Sequence, residues 1–240
     1  MKRKIVIIGA SGHGGMLLDC IEKEAKYSVL GFLDSYKEKD SYYSGLQILG
    51  NEQDIPKLIE EHDLYGVIVA IGNNWTRKKM VDKLIEITPD LNFVSTIHPS
   101  AVISRNVQIG KGTVIMPSAI VNSNSKIGDF CILNTNSSLG HDGTMEDYSS
   151  ISSGVCTGGN LMLGGFSAIS LGANVIENIN IGTHSVVGAG AMVVKDVEEK
   201  TVVYGAPARF IRHRDMEDPY LKGDRCPPQL NGQLNIKRLP

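Results

Sequence analysis

The chain has no excess of either charge: 24 Lys and Arg stand against 26 Asp and Glu, a net charge of −2. Such a balance argues against an electrostatic partnership with nucleic acid or an anionic membrane surface. No apolar run approaches the roughly 20 residues that a membrane-spanning helix needs, and the N-terminus shows no signal-like run before a cleavage site. Cysteine is sparse as well. Cys20, Cys131, Cys156 and Cys226 have none of the paired spacing of a metal site, and unpaired thiols fit a reduced, cytoplasmic setting. Three of the six histidines, His98, His141 and His184, lie far apart within the array described next. Zinc would need a tight cluster, so no metal is expected.

What the chain does have is a period. An aliphatic residue recurs at every sixth position, beginning Ile97, Ile103, Ile109, Ile115 and Val121 and ending Ile181, Val187 and Val193. Only Thr157 breaks the seventeen positions. Four residues after each aliphatic a small side chain is common, as at Ala119, Ser125, Cys131 and Ser137, and glycine often follows directly, as at Gly110, Gly128, Gly140 and Gly188. A short fixed period of this kind predicts a parallel β-helix, one hexapeptide to a face and three to a coil. The aliphatic fills the axis, the small residue fits near a corner, and glycine is expected to supply the backbone freedom of the turn. A β-sandwich would instead alternate at period two with irregular turns.

Residues 1–95 have another texture, in which short apolar runs alternate with charged helical stretches. Strands are expected over 4–8, 29–33 and 66–71. Helices are expected over 14–26, with Met16, Leu17, Cys20 and Ile21 on the buried face, then over 55–62 and 77–87. This is a small Rossmann-like α/β unit of about three strand–helix repeats. The domain organisation read from the sequence is therefore 1–95, a β-helix over 96–209, and an extended Pro-containing tail over 210–240.

Three polar strand ends meet at one edge of this small sheet. Gly9, Ser11, Gly12, His13 and Gly14 join the first strand to the first helix, where glycines admit close approach and amide N–H groups face an anion. Asp34 and Ser35 end the second strand, and Gly72 and Asn73 end the third. Their convergence favours a nucleotide ligand. The spacing departs from the usual glycine fingerprint and the unit is small, which argues against a dehydrogenase. In the repeat array, His141 follows Leu139 by two, so it faces outward, and Asp142 beside it can orient the ring for proton transfer. His98 and His184 have no adjacent carboxylate and are expected to be solvated corner residues. Cys131 and Cys156 fit small-residue packing.

Taken together, the opening GASGHGG, the segments LDS and AIGNNWTR, the hexapeptide array with His141-Asp142 and the closing Gly205-Ala206-Pro207-Ala208 resemble one bacterial group. It comprises the two-domain, left-handed β-helix acyltransferases of nucleotide-linked amino sugars and the related sialic acid O-acetyltransferases. The resemblance spans residues 1–212. It implies a homotrimer with acetyl-CoA as donor and active sites between neighbouring β-helices. It also implies His141 as the base with Asp142 as its partner acid, often Glu in relatives. Gly159 N–H would receive the thioester oxygen. Gly188, Ala189 and Gly190 would lie along the pantetheine arm, with Lys195 a candidate for a CoA phosphate. In the first domain it places the sugar-nucleotide phosphates on the glycines of 9–15, the base on Asp34, and His13 near the sugar beside a neighbour's His141. Ser150 stands where some relatives carry a second histidine. The acceptor implied is an amino sugar, such as a 4-amino-4,6-dideoxy sugar. An O-acetylated sialic acid is the nearer alternative, and a non-catalytic nucleotide-sugar-binding scaffold the more distant one.

Overall fold

The computed structural model describes residues 2–220. Strands β1 (Arg3–Ile8), β2 (Tyr27–Leu33), β3 (Tyr42–Tyr43), β4 (Leu46–Gly50) and β5 (Leu64–Val69) form one sheet in the order β3-β4-β2-β1-β5. All neighbours run parallel except β3, which is antiparallel to β4. Helices α1 (Gly12–Glu24), α2 (Ile55–His62) and α3 (Asn74–Ile87) complete the unit. The sequence pattern foresaw three strands and missed β3 and β4. β3 is two residues long and, within β4, only Ile48 is a wholly buried side chain, so neither carries a clear period. The face of α1 also needs correction: Met16 is 40% exposed, and Leu18 takes its place beside Leu17, Cys20 and Ile21.

Seventeen two-residue strands follow at six-residue intervals, from β6 (Thr96–Ile97) to β22 (Met192–Val193). They stack into a three-faced prism. The face that begins with β6 is extended by β23 (Thr201–Tyr204) and β24 (Arg209–His213) to eight strands. The other two faces hold six and five strands. Sixteen of the seventeen inward positions form the axial apolar core, with Ile97, Ile103 and Ile109 partly exposed at the open end, and the seventeenth, Thr157, is buried in the same column. The segment after residue 209, read from sequence as tail, starts within β24; of that stretch, residues 221–240 lie outside the described chain.

The corners are built differently from the expectation. Glycines directly after the inward residue, such as Gly140 and Gly158, have ordinary φ values; the left-handed residue comes two places later. Those glycines are needed for room, since a Cβ on Gly140 would stand 2.0 Å from Gly158 O in the next coil. The left-handed position is filled in three ways. One corner uses Asn106, Asn124, Asp142, Asn160 and Asn178, and another uses Ser118, Asn136, Gly154, Gly172 and Gly190. Short polar side chains and glycine tolerate this conformation best. The third corner begins with Gly112 and continues with Phe130, Tyr148, Phe166 and His184, four bulky residues that carry a local cost of about 1 kcal/mol or more each.

That cost is offset by stacking and by docking. The four rings stand in a column, with centroids 5.0, 5.3 and 4.6 Å apart and nearly parallel planes. Trp75 on α3 meets the column edge-on, and Phe130 and Tyr148 belong to the same apolar cluster as Val6, Val69 and Leu84. α1 packs alongside on the eight-stranded face through Leu17, Ile21, Val114 and Met116. His98 and His184 are therefore buried rather than solvated. His98 Nδ1 bonds the Ser100 hydroxyl, and the His184 ring closes the column.

Candidate active site

A cleft of about 280 Å³ opens at the C-terminal edge of the first sheet. It gathers Gly9, Ser11, Asp34, Ser35 and Gly72, so the three polar strand ends do converge. Tyr36, Glu52 and Thr76 also line it and were not foreseen from sequence. The Asp34 carboxylate accepts from Ala10 N–H and from Tyr36 N–H, each at 2.8 Å, which ties the glycine loop to the end of β2. Beside it Glu52, 3% exposed, accepts from the Ser35 hydroxyl and from Lys83 Nζ. Burial acts to raise the Glu52 carboxyl, but those two hydrogen bonds outweigh it and hold the group below the usual range.

Four further residues read as ligand contacts, Gly12, His13, Gly14 and Asn73, lie outside the lining of this cleft. Gly12 opens α1 with open space around it, so its N–H end is accessible. Gly14 is needed for packing, because a Cβ there would stand 2.3 Å from Gly9 O. Asn73 caps α3 by accepting from Thr76 N–H at 2.9 Å. His13 is sunk beside Arg77; burial and that guanidinium push it down to about 4, and Nε2 has no partner among the described residues.

Arg77 is the join between the two units. Its guanidinium is 1% exposed and donates to Phe130 O, Ile71 O, Gly72 O, Tyr148 O and Asn74 Oδ1 at 2.7–3.1 Å. Asn74 Nδ2 in turn donates to Phe166 O and Ser167 O, and Asn74 N–H donates to the Tyr220 hydroxyl. The Gly72 end of the cleft is thereby fastened to the aromatic corner of the prism.

His141 and Asp142 stand on a different corner, between the six- and five-stranded faces. His141 Nδ1 lies 2.7 Å from Asp142 Oδ2, and Asn124 Nδ2 donates to Asp142 Oδ1 at 3.2 Å. These hydrogen bonds, from His141 first, hold the Asp142 carboxyl below its usual range. Asp142 occupies the left-handed position, φ 55°, where a short acid suits the backbone. With Nδ1 committed to the carboxylate, Nε2 is the free ring nitrogen. It faces Gly159 in the next coil so closely that a Cβ on Gly159 would be 2.4 Å away. The amide at the register of Gly159, two after the inward residue, reaches for acceptors elsewhere in the prism: Lys111, Asp129 and Gly165 N–H each donate to a carboxylate.

Residues three coils along the same corner lead to Lys195, which is exposed and borders a cleft of about 470 Å³ with Arg209 and Phe210. Gly188, Ala189 and Gly190 lie on another corner, beside the six-stranded face. Ala189 and Gly190 are exposed, whereas Gly188 is buried under the Tyr204 ring. Ser150 is buried in the eight-stranded face, away from His141. Cys131 is packed and its thiol is pushed up to about 11 by burial, but Cys156 is exposed, against the packing expected for it. It precedes an inward position and so points outward. Among the described residues no group of three His, Cys, Asp or Glu is arranged to hold a metal, and no helix is long and apolar enough to cross a membrane.

Comparison with known proteins covers both units. The family "PglD N-terminal domain" matches residues 4–84, and "Bacterial transferase hexapeptide (six repeats)" matches residues 100–135. The curated UDP-N-acetylbacillosamine N-acetyltransferase of Bacillus subtilis is 32% identical over 117 residues, 47% of this chain and 51% of that protein. The match thus spans about half the length of that curated relative. PerB from Caulobacter crescentus, solved in complex with CoA and GDP-perosamine, superposes with a TM-score of 0.80 at 30% identity over 87% of this chain and 97% of its own. The acetyltransferase domain of PglB from Neisseria gonorrhoeae, solved with acetyl coenzyme A, gives 0.80 at 27% identity over 88% and 100%. With its α/β unit joined to a hexapeptide prism across nearly the whole of such relatives, the chain belongs to the left-handed β-helix sugar acetyltransferases.

Proposed function

We propose that the protein transfers an acetyl group from acetyl-CoA to the amine of a nucleotide-linked amino sugar, such as a 4-amino-4,6-dideoxy sugar. The observation that carries this reading is His141, with Nδ1 held by Asp142 and Nε2 facing Gly159 of the next coil. The amine attacks the thioester carbon and forms the C–N bond, while Nε2 takes the amine proton. Asp142 stabilises the resulting imidazolium. The Gly159 N–H receives the oxyanion, as its register mates receive carboxylates. The tetrahedral intermediate then collapses, the C–S bond breaks, and CoA departs as the thiol with that proton. No covalent enzyme intermediate is required.

The same geometry argues for assembly. The nucleotide cleft is fastened to the aromatic corner, while His141 stands on the corner between the other two faces. In one chain the two do not share a wall. We therefore read the enzyme as a homotrimer in which a neighbouring copy brings its cleft and His13 side to His141. Lys195 lies three coils from His141, roughly 14 Å at strand spacing. An exposed cation at that distance supports the reading that Lys195 meets a CoA phosphate, with the pantetheine arm passing toward a neighbour's Gly188 to Gly190. We assign the reaction to the cytoplasm, the compartment that free thiols at Cys20 and Cys131 suit.

The test is thiol release from acetyl-CoA against UDP-, dTDP- and GDP-linked 4-amino-4,6-dideoxy sugars and free sialic acid. Turnover on a nucleotide amino sugar, lost in His141→Ala with acetyl-CoA binding kept, supports the reading. Turnover on sialic acid alone moves the chain to O-acetylation, and unchanged turnover in His141→Ala removes the proposed base.

A further inference from the structure

Of the seventeen inward positions of the prism, only Thr157 carries a hydroxyl. It is 5% exposed within an aliphatic column, where valine would fill the same space without a polar group to satisfy. The hydroxyl is satisfied: Oγ1 donates to Ser138 O at 3.2 Å and accepts from Gly140 N–H at 3.1 Å. The second of these bonds changes the ladder. On the same face, Asn122 N–H bonds Leu139 O at 3.0 Å one coil earlier, and Gly158 N–H bonds Val175 O at 2.9 Å one coil later. Gly140 occupies the equivalent position, yet its N–H goes to the Thr157 side chain. Accordingly Ser138 pairs with Cys156 and the ladder stops there, whereas coil neighbours elsewhere in the prism pair at both residues.

This single defect sits between the two halves of the proposed site. Gly140 leads directly into His141, and Thr157 leads through Gly158 into Gly159. Gly140 also lies against Gly158 and Gly159 so closely that a Cβ would stand 2.0 Å from Gly158 O and 2.6 Å from Gly159 N. Any change in where Gly140 N–H points therefore shifts the His141 ring relative to the Gly159 amide.

We propose that Thr157 is a positioning residue: its hydroxyl draws Gly140 N–H out of the coil ladder and so sets the spacing between the His141 imidazole and the Gly159 N–H. The inference rests on the catalytic reading of His141 and Gly159. Thr157→Val removes the hydroxyl and keeps the shape, and Thr157→Ser keeps the hydroxyl. Turnover, both KM values and Tm are measured for each, together with the ring shifts of His141 by NMR. In Thr157→Val, kcat is expected to fall 10- to 100-fold, in the range that a misplacement of about 1 Å produces. KM values should stay within twofold, Tm should be equal to or above that of the parent, and the His141 ring signals should move. Thr157→Ser should recover kcat to within threefold.

A Thr157→Val enzyme with parental kcat and unmoved His141 signals overturns the proposal. So does a loss shared by both variants in step with a falling Tm. If the parent protein itself shows no transfer, the function proposed above fails, and the NMR comparison still decides whether Thr157 positions His141.

Discussion

Gly159→Ala isolates the geometry of the proposed base from its chemistry. The added Cβ would stand 2.4 Å from His141 Nε2 and 2.5 Å from Cε1, where ordinary contact begins near 3.4 Å. The ring must retreat by about 1 Å, and a displacement of that size costs on the order of 10²-fold in rate, or about 3 kcal/mol of transition-state stabilisation. It also strains the 2.7 Å bond between Nδ1 and Asp142. Folding should be spared for two reasons. The φ of Gly159 is one that an alanine adopts freely, and the His141 side chain is 63% exposed and can swing away into solvent. The substitution keeps the Gly159 N–H, so the oxyanion donor survives. The expected result is a roughly 100-fold loss of kcat in the thiol-release assay, with Tm within about 2 °C of the parent and KM for acetyl-CoA little changed. Turnover within threefold of the parent at equal Tm would refute the placement of His141 over Gly159.

Two other outcomes follow from the first domain. His13 is held near 4 in the fold against about 6.5 unfolded, so the unfolded chain binds the extra proton between those values. Its contribution is intact above pH 6.5 and is lost as the pH falls toward 4, on the order of 3 kcal/mol in all. Urea titrations from pH 4 to 7 at fixed protein concentration should show a shallower acid loss in His13→Gln. His184, also lowered by burial, titrates in both proteins and cancels; equal slopes would contradict the buried neutral state. Gly12→Ala and Gly14→Ala should separate ligand approach from packing. The first has open space and should fold normally, with any loss appearing in the KM for the acceptor. The second meets Gly9 O at 2.3 Å and should lower Tm by several degrees or prevent folding.

The prism was legible in the sequence because a β-helix writes its geometry into a local period. Each inward residue is fixed by its count of six, and Ile115 to Val193 fill the axis as that count requires. His141 followed from the same count, since two residues past Leu139 the chain is at a corner and faces solvent. The strand ends of the first domain were legible for a similar reason: an apolar run closed by Gly9, Asp34 or Gly72 marks the edge where polar groups converge.

What the sequence alone left undecided are the meetings between distant registers. Nothing local marks Glu52 as buried beside Ser35 and Lys83, or Arg77 as fastening the cleft to Phe130 and Tyr148. The burial of His184 beside Trp75, the exposure of Met16 and the column of rings on left-handed residues all depend on which face of the prism the first domain covers. A period reports how one residue stands relative to its own backbone. It carries no information on which side chain arrives from elsewhere, and that is set by docking two surfaces whose complementarity exists only once both have folded.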